Sequence, residues 1–301
     1  MIDILGKAGG YVFIILLGII LRKIGFFKES DFNILAKICL RITLPASVIY
    51  SFSGKEFDLT LISLCLLGFF TGVIYIGIGY LINLKNRERA AFSMVNLSGY
   101  NVGCFTVPFV QGFLGPLGVI TTSLFDVGNA MICLGGSYSV ASITKEGGPF
   151  SIKKIGKALI TSVTFITYMA MIILRLLRIE LPTAVVDCAG IIGGANAFIA
   201  MLMLGVGFKL SIDKEQLMLV LKTLGVRYAF GAAFAILFWF LLPFDREIRL
   251  ALIILAFAPI ASAAPAYTAE LGEDSGVAST INSLSVICSI VVIVAILTFM
   301  A

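Results

Sequence analysis

Asp126 is an acid well inside an apolar run, flanked by Phe125 and Val127, with Asn129 three residues on and on the same helical face. A charge at membrane depth costs several kcal/mol and is kept for a reason. Three chemistries fit: Asp126 carries a proton, binds a cation such as sodium, or serves as the structural hydrogen-bonding partner of Asn101 or Asn129. Asn101 itself stands in GYNVGCFTVPFVQGFLGPLG, residues 99–118, where five glycines and two prolines crowd twenty positions. Pro108 offers no N–H and disfavours helix at Val107, and Gly99 and Gly103 lower helix propensity further. A second such run, Ala258-Pro259-Ile260-Ala261-Ser262-Ala263-Ala264-Pro265-Ala266-Tyr267, lies far downstream. Non-helical backbone at membrane depth is tolerated only where protein or a polar cavity satisfies its groups. Two interrupted helices meeting there leave N–H groups and positive helix ends at one point, which suits a small organic anion. Asn101, Gly103, Thr106, Pro108, Asn129, Pro259, Ser262, Pro265 and Asn282 are therefore the candidate substrate-binding residues. Asp126 is the candidate for a coupling proton or sodium ion.

The elements that position these residues are membrane helices. The 301-residue chain is 59% hydrophobic and 13% charged, with a mean hydropathy of +1.07, whereas soluble domains carry roughly a quarter charged residues. Its net charge of +5 is spread between apolar runs, so no basic surface for nucleic acid is expected. Histidine is absent, which excludes an HExxH metalloprotease or a Ser-His-Asp triad, and no GxSxG or Walker A run occurs; an enzyme is not expected. The six cysteines are single and dispersed with no CxxC spacing, and read as small buried residues rather than as a metal site or disulfide framework.

Hydropathy delimits ten spans, at 9–25, 32–52, 59–83, 90–115, 117–142, 158–178, 184–208, 217–242, 248–271 and 276–300. Loops 1–2, 3–4, 5–6 and 7–8 hold thirteen lysines and arginines, against six on the other side (Lys7, Lys55, Arg175, Arg178, Arg246, Arg249). The positive-inside rule then places the thirteen in the cytoplasm and both termini outside. Ile19–Arg22 recurs as Ile172–Arg175, an offset of 153; Arg89 and Arg246, Pro108 and Pro265, and Gly115 and Gly272 repeat at 157. Five spans per copy is odd, so the second copy must be inverted. The expected all-α polytopic fold is a first repeat over 1–145, a cytoplasmic loop over 146–157 and an inverted repeat over 158–301, with broken helices 4 and 9 crossing at mid-membrane. At the 157 offset Asp126 meets Ser283, so the acid is not duplicated.

Other charges have plainer readings. Lys37 and Arg41, one turn apart in the second span, are read as snorkelling to the interface, with substrate steering as the alternative, and Arg227 in the eighth span reads the same way. Glu270, Glu273 and Asp274 read as a solvated loop, with ion entry as the alternative. Gly68 with Gly72, and Gly190 with Gly194, have the spacing of close helix packing, the second pair within the chain or across a dimer.

In its fourth and fifth spans the chain resembles the auxin efflux carrier family, which includes plant auxin exporters and bacterial malate and malonate carriers. Asn101-Val-Gly-Cys-Phe-Thr-Val-Pro108, followed by Gly112, Gly115 and Gly118, is similar to the family's Asn…Gly…Pro…Gly…Gly run, and Phe125-Asp126-Val-Gly-Asn129 follows where the family often writes an Asp and an Asn. Leu44-Pro45 and Leu204-Gly205 match more weakly. Ala258-Pro259-Ile260 replaces the second Asn-Pro-Asn of the plant exporters, and Ala197-Phe198 stands where the family usually has a proline, which argues against auxin as the substrate. The resemblance implies a carrier of the plasma (inner) membrane, dimeric, with helices 1, 2, 6 and 7 as scaffold and helices 3–5 and 8–10 as the body that moves by an elevator motion. It implies a mono- or dicarboxylate as substrate. A channel or a substrate-sensing receptor of the same fold is the alternative.

Overall fold

The structure is a computed structural model that describes residues 2–53, 59–147, 150–210 and 214–300, so Lys55 lies outside the described residues. Among the described residues all regular elements are helices. In the first part of the chain, α1 (Ile2–Lys23) is followed by α2 (Asp31–Ile38), which continues through a π turn at Cys39–Thr43 into α3 (Leu44–Phe52); then come α4 (Ser63–Leu81), α5 (Arg87–Ser98), α6 (Val107–Phe113), α7 (Gly115–Met131) and α8 (Ser137–Glu146). The second part carries α9 (Ile152–Thr161), α10 (Val163–Leu176), α11 (Thr183–Gly194), α12 (Asn196–Val206), α13 (Lys214–Leu241), α14 (Arg246–Ala256), α15 (Ala264–Glu270) and α16 (Ser275–Met300).

Seven stretches are long and apolar enough to cross a membrane: Leu5–Lys23, Asp31–Phe52, Thr60–Leu81, Gly115–Glu146, Thr183–Val206, Gln216–Leu241 and Ser275–Met300. The pair α9 and α10, bent by 75°, makes an eighth if taken as one span. This is the pattern of a helical membrane protein. The bend corrects the sixth expected span: the turn falls at Ser162, whose extended backbone ends α9 and whose hydroxyl accepts the Phe165 N–H at 3.3 Å to begin α10. Half of the expected loop at 146–157 is likewise helical, because α9 starts at Ile152.

The fourth and ninth expected spans are the interrupted ones. The first interruption is earlier than the prolines imply: α5 stops at Ser98, and helical winding resumes at Val102. Pro265 instead sits in the first turn of α15, where a missing N–H costs nothing, and Pro108 follows a π turn at Val102–Thr106 that runs directly into α6. Gly115 and Gly272 follow the ends of the same two helices at φ +63° and +71°, the left-handed geometry that stops a helix.

Close pairings join α1 to α12, α3 to α11 and α10, and α2 to α12; others join α4 to α5 and α7, α5 to α8 and α15, α13 to α14, and α15 to α16, while α3 and α14 both pack against α7. Glycines let backbones touch at several of them. A Cβ on Gly68 would lie 1.9 Å from the Phe125 carbonyl oxygen, and one on Gly128 would lie 1.9 Å from that of Cys65, so α4 and α7 meet without side chains between them. In α11, Gly190 and Gly193 face α3, whereas Gly194, expected at the contact, has open space beside it. Cys39 and Cys104 are buried as expected, but Cys188 is exposed.

Candidate functional site

The two interruptions cross. Tyr100 and Ile260 form an isolated antiparallel bridge; the Asn101 N–H donates to the Pro259 carbonyl at 2.8 Å, and the Ala261 N–H to that of Gly99 at 3.2 Å. Backbone groups released from each helix are thus taken up by the other strand, as a buried chain requires. Gly99 permits the approach, since a Cβ there would lie 2.7 Å from the Ala261 Cβ.

Side chains from the following helices hold what the strands leave free. From α7, Asn129 grips Tyr100 twice: its Oδ1 accepts the Tyr100 N–H at 3.1 Å and its Nδ2 donates to the Tyr100 carbonyl at 3.0 Å. From α16, Asn282 Nδ2 donates to the carbonyls of Ile260 (2.8 Å) and Ala261 (3.2 Å), while Ser285 Oγ accepts the Ile260 N–H at 3.1 Å. Asn129 and Asn282 therefore do corresponding work on the two strands. Their separation is 153 residues rather than the 157 that matches Asp126 with Ser283.

Two cavities flank the crossing, and Ser262 lines both. The larger, of about 420 Å³, is lined by Arg41, Asn101, Gly103, Asp126, Asn129 and Tyr168 among others. The smaller, of about 280 Å³, includes Asn33, Lys209, Pro265, Asn282 and Ser283. The Asn101 amide donates to Ser262 Oγ at 2.9 Å between them. Asp126 receives Asn129 Nδ2 on one oxygen at 2.8 Å and the Tyr168 hydroxyl, from α10, on the other at 3.0 Å. Of its expected structural partners the geometry thus selects Asn129. At the smaller cavity's rim the Lys209 ammonium bonds to Glu29 and holds that carboxyl below the usual carboxylate range.

Six of the expected substrate residues line a cavity: Asn101, Gly103 and Asn129 the larger, Pro265 and Asn282 the smaller, Ser262 both. Thr106, Pro108 and Pro259 line neither. Thr106 is fully buried and donates to the Asn101 carbonyl at 3.2 Å; the Pro108 carbonyl accepts from Tyr11 at 3.2 Å; and Pro259 contributes the carbonyl that Asn101 uses. Their part is to shape the backbone.

Two expectations are corrected. Arg227 does not snorkel: only 1% of it is exposed, because both ends of its guanidinium find carbonyls in the protein interior. The acidic run after α15 is not simply solvated. Glu273 pairs with Lys145 at 2.5 Å, and Asp274 accepts the Gly276 and Val277 N–H groups at the start of α16. Tyr168 was missed, since one tyrosine in an aliphatic helix carries no periodic signal. Among the described residues no three His, Cys, Asp or Glu side chains gather as metal ligands. The chain matches none of the models of known protein families, and no curated protein matches it.

Proposed function

We propose that this protein is a secondary carrier for a small organic anion, a mono- or dicarboxylate, built as ten spans in two inverted five-helix repeats. The observation that carries this reading is the antiparallel bridge of Tyr100 with Ile260, flanked by two cavities that carry polar side chains on their walls. Interrupted helices whose breaks meet are how transporters place an ion or anion site inside a membrane. A channel needs an open polar path; here bridged strands and the Asn101–Ser262 hydrogen bond stand between the cavities. Asn101, Ser262 and Asn282 would orient the substrate, and Arg41 and Lys209 lie on the walls where an anion approaches.

In this reading the set around α4, α5, α7 and α13–α16 is the moving body, and α1–α3 with α10–α12 form the scaffold of a dimer. Asp126 belongs to the moving body and bonds to Tyr168 of the scaffold. Loading Asp126 with a proton or sodium ion alters that link, which couples the ion to the movement. Resemblance to the auxin efflux carrier family supports the same assignment on the motif Asn101–Pro108.

The test is flux into proteoliposomes with a panel of radiolabelled mono- and dicarboxylates, at two pH values, with and without sodium. Saturable uptake with counterflow is expected. Non-saturating flux without counterflow would mean a channel, and binding without flux a receptor. With both termini outside, a cysteine in place of Lys153 resists a membrane-impermeant thiol reagent on intact cells; labelling from outside would overturn the inverted arrangement.

A further inference from the structure

Arg227 is the largest of the fully buried side chains, and it touches both interrupted helices at once. Its Nη1 donates to the Leu97 carbonyl at 2.5 Å, in the last turn of α5, and its Nη2 to the Ala258 carbonyl at 3.2 Å, just past the end of α14. The guanidinium carbon lies 4.4 Å from the Tyr75 ring centroid and 4.1 Å from that of Tyr100. Tyr75 in turn donates its hydroxyl to the Arg227 carbonyl at 2.8 Å. A guanidinium keeps its charge when buried, and a buried charge survives only where it is compensated. The C-terminal end of a helix carries roughly −0.5 of an elementary charge. Two such ends balance one guanidinium, and two aromatic faces add to its stabilisation.

We propose that Arg227 is the positioning residue of the crossing: one cation that neutralises the C-terminal ends of both interrupted helices and holds the two strands together through the Tyr100 ring. It contacts neither cavity. It acts through Tyr100, the bridge residue, whose backbone Asn129 grips from the other side. The role rests on reading the crossing as the transport site, but the strands' geometry can be measured without any substrate.

The experiment is hydrogen–deuterium exchange on the purified full-length protein in detergent. Arg227→Met keeps an unbranched apolar stem but removes the charge and both donors. Exchange in peptides covering residues 99–103 and 258–262 is expected to accelerate by about tenfold or more, as for a locally opened segment, while α1, α11 and α12 keep their protection. Arg227→Lys retains the charge but not the fork, and is expected to fall between the parent and Arg227→Met. Unchanged exchange at both strands in Arg227→Met would overturn the proposal. So would a uniform rise across all helices, which marks general destabilisation, or an Arg227→Lys protein no better protected than Arg227→Met. If Arg227→Met does not accumulate, Arg227→Lys decides alone: faster exchange confined to the two strands supports the proposal, and parental exchange overturns it. Loss of carboxylate flux with an intact exchange pattern in the parent would fault the carrier reading and leave Arg227's role standing.

Discussion

The two strands of the crossing solve one problem with different parts. On the first, a single residue, Asn129, satisfies both the N–H and the carbonyl of Tyr100 and still donates to Asp126. On the second, the work is divided: Asn282 takes the Ile260 carbonyl, Ser285 takes its N–H, and Ser285 donates onward to the Asn282 carbonyl at 2.6 Å. The first strand is therefore tied to an acid and, through Tyr168, to α10. The second is tied by side chains of α16 and by the Asn101 amide on Ser262. The side chain that holds the first strand also bonds an acid, whereas Ser285 on the second bonds back within α16.

The largest expected effect breaks the first half. Asn129→Leu leaves the buried Tyr100 N–H unpaired, at about 1–3 kcal/mol, and its carbonyl with only the weak Cys133 thiol donor at 3.7 Å; thermal unfolding should show that loss together with abolished flux. Asn282→Leu strips the Ile260 and Ala261 carbonyls of a donor but leaves the Ile260 N–H on Ser285. A buried carbonyl left short is tolerated better than a buried N–H, so this variant should cost less, and equal losses in the two variants would dissolve the contrast. Asp126→Asn imitates the neutral acid, so the protein should bind substrate yet lose its dependence on pH or on the coupling cation. Full retention of both dependences would make Asp126 structural. Asn101→Leu keeps a similar volume while removing the bond to Ser262, so substrate affinity should fall in a protein that still folds; unchanged affinity removes Asn101 from the site.

The smallest effect lies at the rim. The Glu29 carboxyl is held below its ordinary value by Lys209, so the pair stabilises the fold above the ordinary carboxylate pKa of about 4.3 and loses this as the pH falls through the depressed value. Both side chains are well exposed, at 45% and 68%, so Glu29→Gln should cost less than about 1 kcal/mol at neutral pH. The difference in melting should vanish in acid.

Much of this arrangement was legible in the residue types. Hydropathy marks the long helices, and glycine with proline marks which spans are interrupted. Gly115 and Gly272, matched by spacing alone, share a left-handed backbone. The position of the first interruption was legible only in part: Gly99 lies in it, whereas Pro108, which looks like a breaker, sits inside winding that runs from Val102 to Phe113. Arg227 was misread because a basic residue in an apolar span looks the same whether it reaches for water or for carbonyls. Only the fold, by bringing Leu97 and Ala258 together, decides between them. Ser162 fails similarly: one serine reveals a 75° bend only once its neighbours choose between helix and extended backbone.

The glycine seam between α4 and α7 also limits how the sequence can change. At Gly68 and Gly128 even one added methyl would sit 1.9 Å from a carbonyl oxygen of the opposite helix. No rotamer relieves a collision with backbone, and replacing the residue that carries the carbonyl does not remove it. Neither glycine can therefore be exchanged by a single step, or compensated by a second one across the seam, without moving a whole helix. Gly6, Gly9 and Gly77, beside open space, are free to drift. Across descendants of this chain, variation should run up to the seam from either side and stop there.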